Sequence, residues 1–137
     1  MRRTATATLG AFALALVAFP PHGMAQPGPS SEVSRRIIER VDLGGTGEEL
    51  RLMLIKFPAG YANAAHRHPV AGVCYVIEGT AESQCEGESP KVIRAGESFQ
   101  DQVDKRHVIF RNVSSTDVLK FICSAKIRKN QDCLLPE

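Results

Sequence analysis

The sequence predicts an all-β domain built as a sandwich or a barrel. Short strand-like runs recur about every ten residues, and Gly, Pro, Asn and Ser punctuate them. Several runs alternate apolar with polar side chains, as strands with one buried face do. No internal repeat competes with this reading, and the only low-complexity tract is a short leader.

Residues 33–43 form the first run, ended by Gly44-Gly45-Thr46-Gly47. The spacing of Ile37, Ile38 and Val41 also suits a short amphipathic helix over 30–41, so strand and helix both stay open for this element. Residues 49–57 alternate at both ends and stop at Pro58-Ala59-Gly60. Further strands are expected over 64–68, 73–78, 81–86, 92–94, 98–102, 108–112 and 118–125. In a closed or sandwiched barrel, side chains alternate between lumen and exterior. His66 and His68 then share a face, as do Gly72, Cys74 and Val76. So small a lumen is filled by side chains or holds one small ligand. Met53, Phe57, Val76, Phe99, Phe110 and Phe121 either line it or form ordinary core.

Arg2 and Arg3 precede an apolar run over 9–19, and Gly23-Met24-Ala25 offers small residues where signal peptidase inspects the chain. Residues 1–25 are therefore expected to be a cleaved signal peptide, 26–32 a flexible leader and 33–137 the folded domain. The apolar run is too short to span a membrane. Thr-Ala-Thr-Ala after the arginines lacks the bulky apolar residues of a twin-arginine signal and favours the Sec route, to the periplasm or beyond the cell. The chain carries 17 Lys and Arg against 15 Asp and Glu, so losing Arg2 and Arg3 leaves a formal charge of zero. Without a basic stripe interleaved with aromatics, nucleic acid is not an expected partner. After cleavage, neither is a membrane.

All four cysteines, Cys74, Cys85, Cys123 and Cys133, follow the cut, and an even count in an oxidising compartment predicts disulfides. A Gly-X turn at Gly79-Thr80 would set Cys74 opposite Cys85 in a hairpin and leave Cys123 to meet Cys133. Geometry argues against that pairing, because a directly opposed hydrogen-bonded pair is awkward for a disulfide.

Three of the four histidines, His66, His68 and His107, fall into one pattern with Gly60, Gly79 and Gly96, whereas His22 lies in the expected signal. Imidazole is the commonest protein ligand for a transition metal. His-x-His on a strand points both rings to one side, and a third histidine from another strand completes a three-nitrogen face with open positions for water or substrate. The competing reading is a charged, exposed loop around Arg67 and Pro69, with His107 solvated after Asp104-Lys105-Arg106.

From Pro58 to Thr80 the chain resembles the first motif of the cupin superfamily: Gly, five residues, His-x-His, three or four residues, Glu, six residues, Gly. Gly60, His66, His68 and Gly79 match at that spacing. Residues 94–112 resemble the second motif through Gly96 and His107. The position of the motif glutamate, however, holds Gly72. In the second motif Gln102 stands at the proline position, Asp104 at the later glycine, and Asn112 arrives one residue late. The resemblance covers most of 50–125.

It implies a conical jelly-roll barrel, the double-stranded β-helix of cupins, with one divalent transition metal (Fe, Mn, Zn, Ni or Cu) on His66, His68 and His107. Some cupin dioxygenases, including thiol and diketone dioxygenases, use a three-histidine iron centre, so the missing glutamate does not abolish the site. Without that carboxylate the ligand charge rises from minus one to zero, which favours an anionic substrate. Glu97 is either a substitute carboxylate or a turn residue facing water. Gln100 and Gln102 either lean into the lumen beside Phe99 or form the polar side of an edge strand. Cys74, two residues past Gly72, is a thiolate ligand, a buried thiol or half of a disulfide.

Two functions follow. One is an exported metal-dependent enzyme of oxygenase type acting on a small molecule. The other is a non-catalytic barrel that binds a small ligand or senses a metal, favoured by the absence of a clear acid–base residue beside the site. The resemblance also implies homodimers paired through strand edges.

Overall fold

The computed structural model describes residues 32–137, so the expected signal peptide and nearly all of the leader lie outside the described residues. Among the described residues there is no helix; the chain is cut into strands by glycine and proline. They are β1 (Ser34–Asp42), β2 (Glu48–Phe57), β3 (His66–Arg67), β4 (Gly72–Glu78), β5 (Thr80–Cys85), β6 (Lys91–Arg94), β7 (Ser98–Asp101), β8 (His107–Asn112), β9 (Leu119–Arg128) and β10 (Leu135–Pro136). One five-stranded antiparallel sheet runs β1-β2-β9-β4-β7 and the other β10-β3-β8-β5-β6. The helical alternative for 30–41 gives way to strand because β1 lies along β2, from Ser34 opposite Lys56 to Asp42 opposite Glu49. The tail strand β10, which sequence reasoning did not expect, pairs with β3 through Leu135 opposite Arg67.

Gly79 is where the chain leaves one sheet for the other. β4 pairs with β7 and β9, whereas β5 pairs with β6 and β8. The expected hairpin at Gly79-Thr80 is therefore a corner between sheets. Its backbone needs a left-handed conformation, φ +84°, and a Cβ there would lie 2.7 Å from the Val118 carbonyl oxygen. Only glycine satisfies both conditions without strain.

That corner also corrects the disulfide pairing. Cys74 and Cys85 fall on different sheets, while Cys74 faces Cys123 across the β4–β9 ladder with Cα atoms 4.1 Å apart. Cys74 and Cys123 form the disulfide, and Cys85 and Cys133 remain free thiols.

Between the sheets lie Ile55, Phe57, Val76, Ala81, Leu119 and Phe121, each at most 5% exposed. Phe57 meets Tyr61, Phe110 and Phe121 edge-on, with ring centroids 4.7, 5.7 and 5.4 Å away. Such aromatic contacts add to the area they bury and fix the packing of this end of the barrel. Asn112 plugs the same end. Its amide donates to the carbonyls of Pro58 and Asp117, at 3.0 and 2.7 Å, and its oxygen accepts from Ser114 N–H at 3.1 Å. The other end stays open.

Candidate metal centre

Strands β3 and β8 bring the histidines together at the open end. His66 begins β3 and pairs directly with His107, the first residue of β8. His68 follows β3, two residues beyond His66, and bridges to Val103. Extended backbone turns the rings of His66 and His68 inward together. Each of the three histidines offers a ring nitrogen, and these nitrogens all lie within 4.8 Å of one another.

The protein fixes the rings before any ligand arrives. His66 Nδ1 lies 2.8 Å from the Ala64 carbonyl and His68 Nδ1 2.9 Å from the Cys133 carbonyl. A carbonyl only accepts, so both Nδ1 atoms carry a proton, and in the neutral ring Nε2 is the nitrogen that keeps a lone pair. The Ser83 hydroxyl holds the third ring, 2.8 Å from His107 Nε2. This orientation of imidazoles by an outer layer of partners is what metal-binding histidines require. The tail supplies one of those partners: Arg51 binds Glu49 and donates to the Gln131 carbonyl at 2.9 Å, which seats Cys133 beside His68.

Burial also sets the protonation. His66 and His107 are 3% and 4% exposed. Burial, the chief cause, holds both imidazoles below their usual range, His107 at about 4, with the other histidines adding to the effect. Both are therefore neutral at physiological pH, the form that ligates. The donor set suits a borderline divalent transition metal.

The rings open onto a cavity of about 580 Å³. Phe99, Phe110, Phe121 and Met53 form its apolar wall, Arg35 and Asn63 stand on one side, and the tail from Asp132 to Leu134 on another. Phe57 and Val76 are core beneath it. Of the pocket residues expected from sequence, Phe99 alone lines the cavity. Strand β7 alternates, so Phe99 points in and Gln100 is exposed on the outer face. Gln102 is exposed and donates to Glu88 at 3.2 Å. Glu97 closes the β6–β7 turn by accepting from Arg94 N–H at 2.7 Å. Cys74 is bound to Cys123, so it offers no thiolate.

The residue that sequence reasoning missed is Asp101. It lies inward on β7, two residues past Phe99, and directly opposite Gly72. Its Oδ1 is 3.5 Å from His68 Nε2, and both side chains are 13% exposed. Burial, the larger effect, raises its carboxyl above the usual range, against the pull of His68 and His66. The signal was the period of two from Phe99, which selects 101 rather than 100 and 102.

The sequence model of the family described as Cupin domain matches residues 53–124. The chain belongs to the cupin family. No curated protein matches it. Among solved structures, it is similar to a cupin superfamily protein from Desulfitobacterium hafniense, with TM-score 0.59 and 11% identity over 74% of this chain and 84% of that one. A recombinant oxalate oxidase in complex with glycolate gives TM-score 0.58 and 20% identity over 80% and 57%. The DMSP lyase DddQ from Ruegeria pomeroyi gives 0.54 and 18% over 64% of this cupin, which spans only 42% of the lyase. At these identities the likeness is one of fold. Within it, one departure from the family pattern is explained by geometry: Asp104, at the position of the motif glycine, adopts φ +54°. Aspartate tolerates that left-handed conformation better than most residues.

Proposed function

We propose that this cupin is an exported metal-dependent enzyme of oxygenase type, acting on a small molecule held in the cavity beside His66, His68 and His107. The observation that carries the reading is the convergence of three pre-oriented ring nitrogens within 4.8 Å of one another on the wall of a cavity of about 580 Å³. A divalent transition metal, when bound, supplies a Lewis-acidic centre with positions open to substrate and oxygen. The chain does the rest. The carbonyls of Ala64 and Cys133 hold two rings in register. Phe99, Phe110 and Phe121 give the apolar part of a substrate a surface and keep water off the reacting end. Arg35 places a cation on the cavity wall for a polar or anionic group. Export is supported by the N-terminal pattern of residues 1–25 and by the Cys74–Cys123 disulfide, a bond that persists in oxidising compartments.

The test is turnover. Protein loaded with Fe(II), Mn(II), Ni(II), Cu(II) or Zn(II) is screened against small organic acids for oxygen uptake and product. Turnover that His66→Ala abolishes in a folded protein is the expected result. A ligand-dependent rise in melting temperature with no product from any metal would replace catalysis with binding alone.

A further inference from the structure

The family's first motif delivers a carboxylate to the metal from position 72, and this chain has Gly72 there. The structure places another carboxylate in that space. Asp101 is the cross-strand partner of Gly72 in the β4–β7 ladder. A Cβ built on Gly72 would lie 3.2 Å from Asp101 Oδ2 and 3.5 Å from Asp101 Cβ. The aspartate thus leans over the backbone that a glutamate would have grown from. The two arrangements exclude each other: with a side chain at 72, Asp101 must move.

The other carboxylate oxygen faces His68. Asp101 Oδ1 is 3.5 Å from His68 Nε2, the nitrogen left with a lone pair once Nδ1 donates to Cys133. Two atoms that bind one zinc-like ion at about 2.1 Å in tetrahedral geometry are about 3.4 Å apart. The separation from His68 matches that of co-ligands, while the histidine group within 4.8 Å of one another does not include Asp101, so ligation draws the Asp101 side chain inward. Oδ2 lies 3.6 Å from Cys74 Sγ, and a disulfide sulfur has no proton to give it. A buried carboxylate so placed is costly unless a cation meets it.

We propose that Asp101 is the fourth protein ligand of the metal centre, a carboxylate moved from β4 to the neighbouring strand β7. The assignment rests on the metal-centre reading above and sharpens it. The ligand set becomes three imidazoles and one carboxylate, with a charge of minus one rather than zero. The selectivity for an anionic substrate expected of a neutral three-histidine face then falls away, and Arg35 is left as the cation that reads substrate charge.

The experiment is a Co(II) and Zn(II) titration, by chelator competition and by the visible Co(II) spectrum, of the unmodified protein, Asp101→Asn and Asp101→Gly/Gly72→Glu. Asp101→Asn keeps the shape and is checked for folding by circular dichroism. It is expected to weaken both ions by more than about 100-fold, beyond the 10–100-fold typical of an outer-layer partner, and to shift the Co(II) bands. The double variant, with its carboxylate back on β4, is expected to recover most of the affinity. An Asp101→Asn protein that binds within threefold of the original, or that binds weakly with unchanged Co(II) bands, overturns the assignment and leaves the three-histidine site standing. Failure of the unmodified protein to bind either ion overturns both.

Discussion

The Cys74–Cys123 bond closes a loop that carries part of the metal centre. The closed loop spans a sequence separation of 49 and contains β5, β6, β7 and β8, hence His107 and Asp101. His66 and His68 lie outside it. In the native state β4 and β9 stay joined by their ladder from Gly72–Ala125 to Glu78–Lys120, so reduction leaves the fold assembled. The effect falls on the unfolded chain, which regains the entropy of an open loop. For a loop of that length the loss of stability is about 4 kcal/mol. That is a large part of the 5–15 kcal/mol expected of a whole domain. Cys74 and Cys123 are 1% and 6% exposed, so the freed thiols remain packed as small apolar groups and add little. Urea unfolding of the oxidised protein, the reduced protein and Cys74→Ala/Cys123→Ala measures the difference. At a slope of about 2 kcal/mol per molar urea, the midpoint is predicted to fall by about 2 M. A fall below about 0.5 M would refute the loop argument.

Other predictions follow from single residues. In the metal-free protein His107 titrates at about 4 when folded and at 6.5 when unfolded, so the unfolded chain takes up the extra proton between those values. Stability is then level above pH 6.5 and falls as pH drops from 6.5 to 4. His107→Gln should remove about 2 kcal/mol of that fall after allowance for solvent reaching the ring, measured as the difference between urea curves at pH 7.5 and 4.5. Gly79→Ala forces a Cβ to 2.7 Å from the Val118 carbonyl at a positive φ and should cost about 2–3 kcal/mol in thermal or urea unfolding. Asn112→Ala leaves the Pro58 and Asp117 carbonyls without their buried donor and should cost about 2–3 kcal/mol in the same assay.

The strands and the three histidines were legible in the sequence because both depend on local spacing. A period of two with glycine and proline breaks marks strands, and His-x-His marks one face of one of them. What was not legible is pairing between distant segments. Gly79-Thr80 reads as a hairpin turn, yet the partners of β4 are β7 and β9, and nothing between residues 74 and 85 reveals that. In β2 the inward phase of Met53 and Phe57 was legible, but not that the charged Glu49 and Arg51 share it. Arg51 is held there, 6% exposed, by Glu49 and the tail carbonyl of Gln131, which comes from the far end of the chain. Asp101 escaped notice for a related reason. Its meaning lies in being opposite Gly72, a register that only the folded sheet fixes.

The central claim is that His66, His68 and His107 hold a metal. Elemental analysis tests it most directly, on untagged protein isolated from its own compartment, beside the His66→Ala/His107→Ala double variant. About one equivalent of a transition metal, absent from a double variant that still folds, is the predicted result. No metal in either protein, even after reconstitution with each divalent ion in turn, would contradict it.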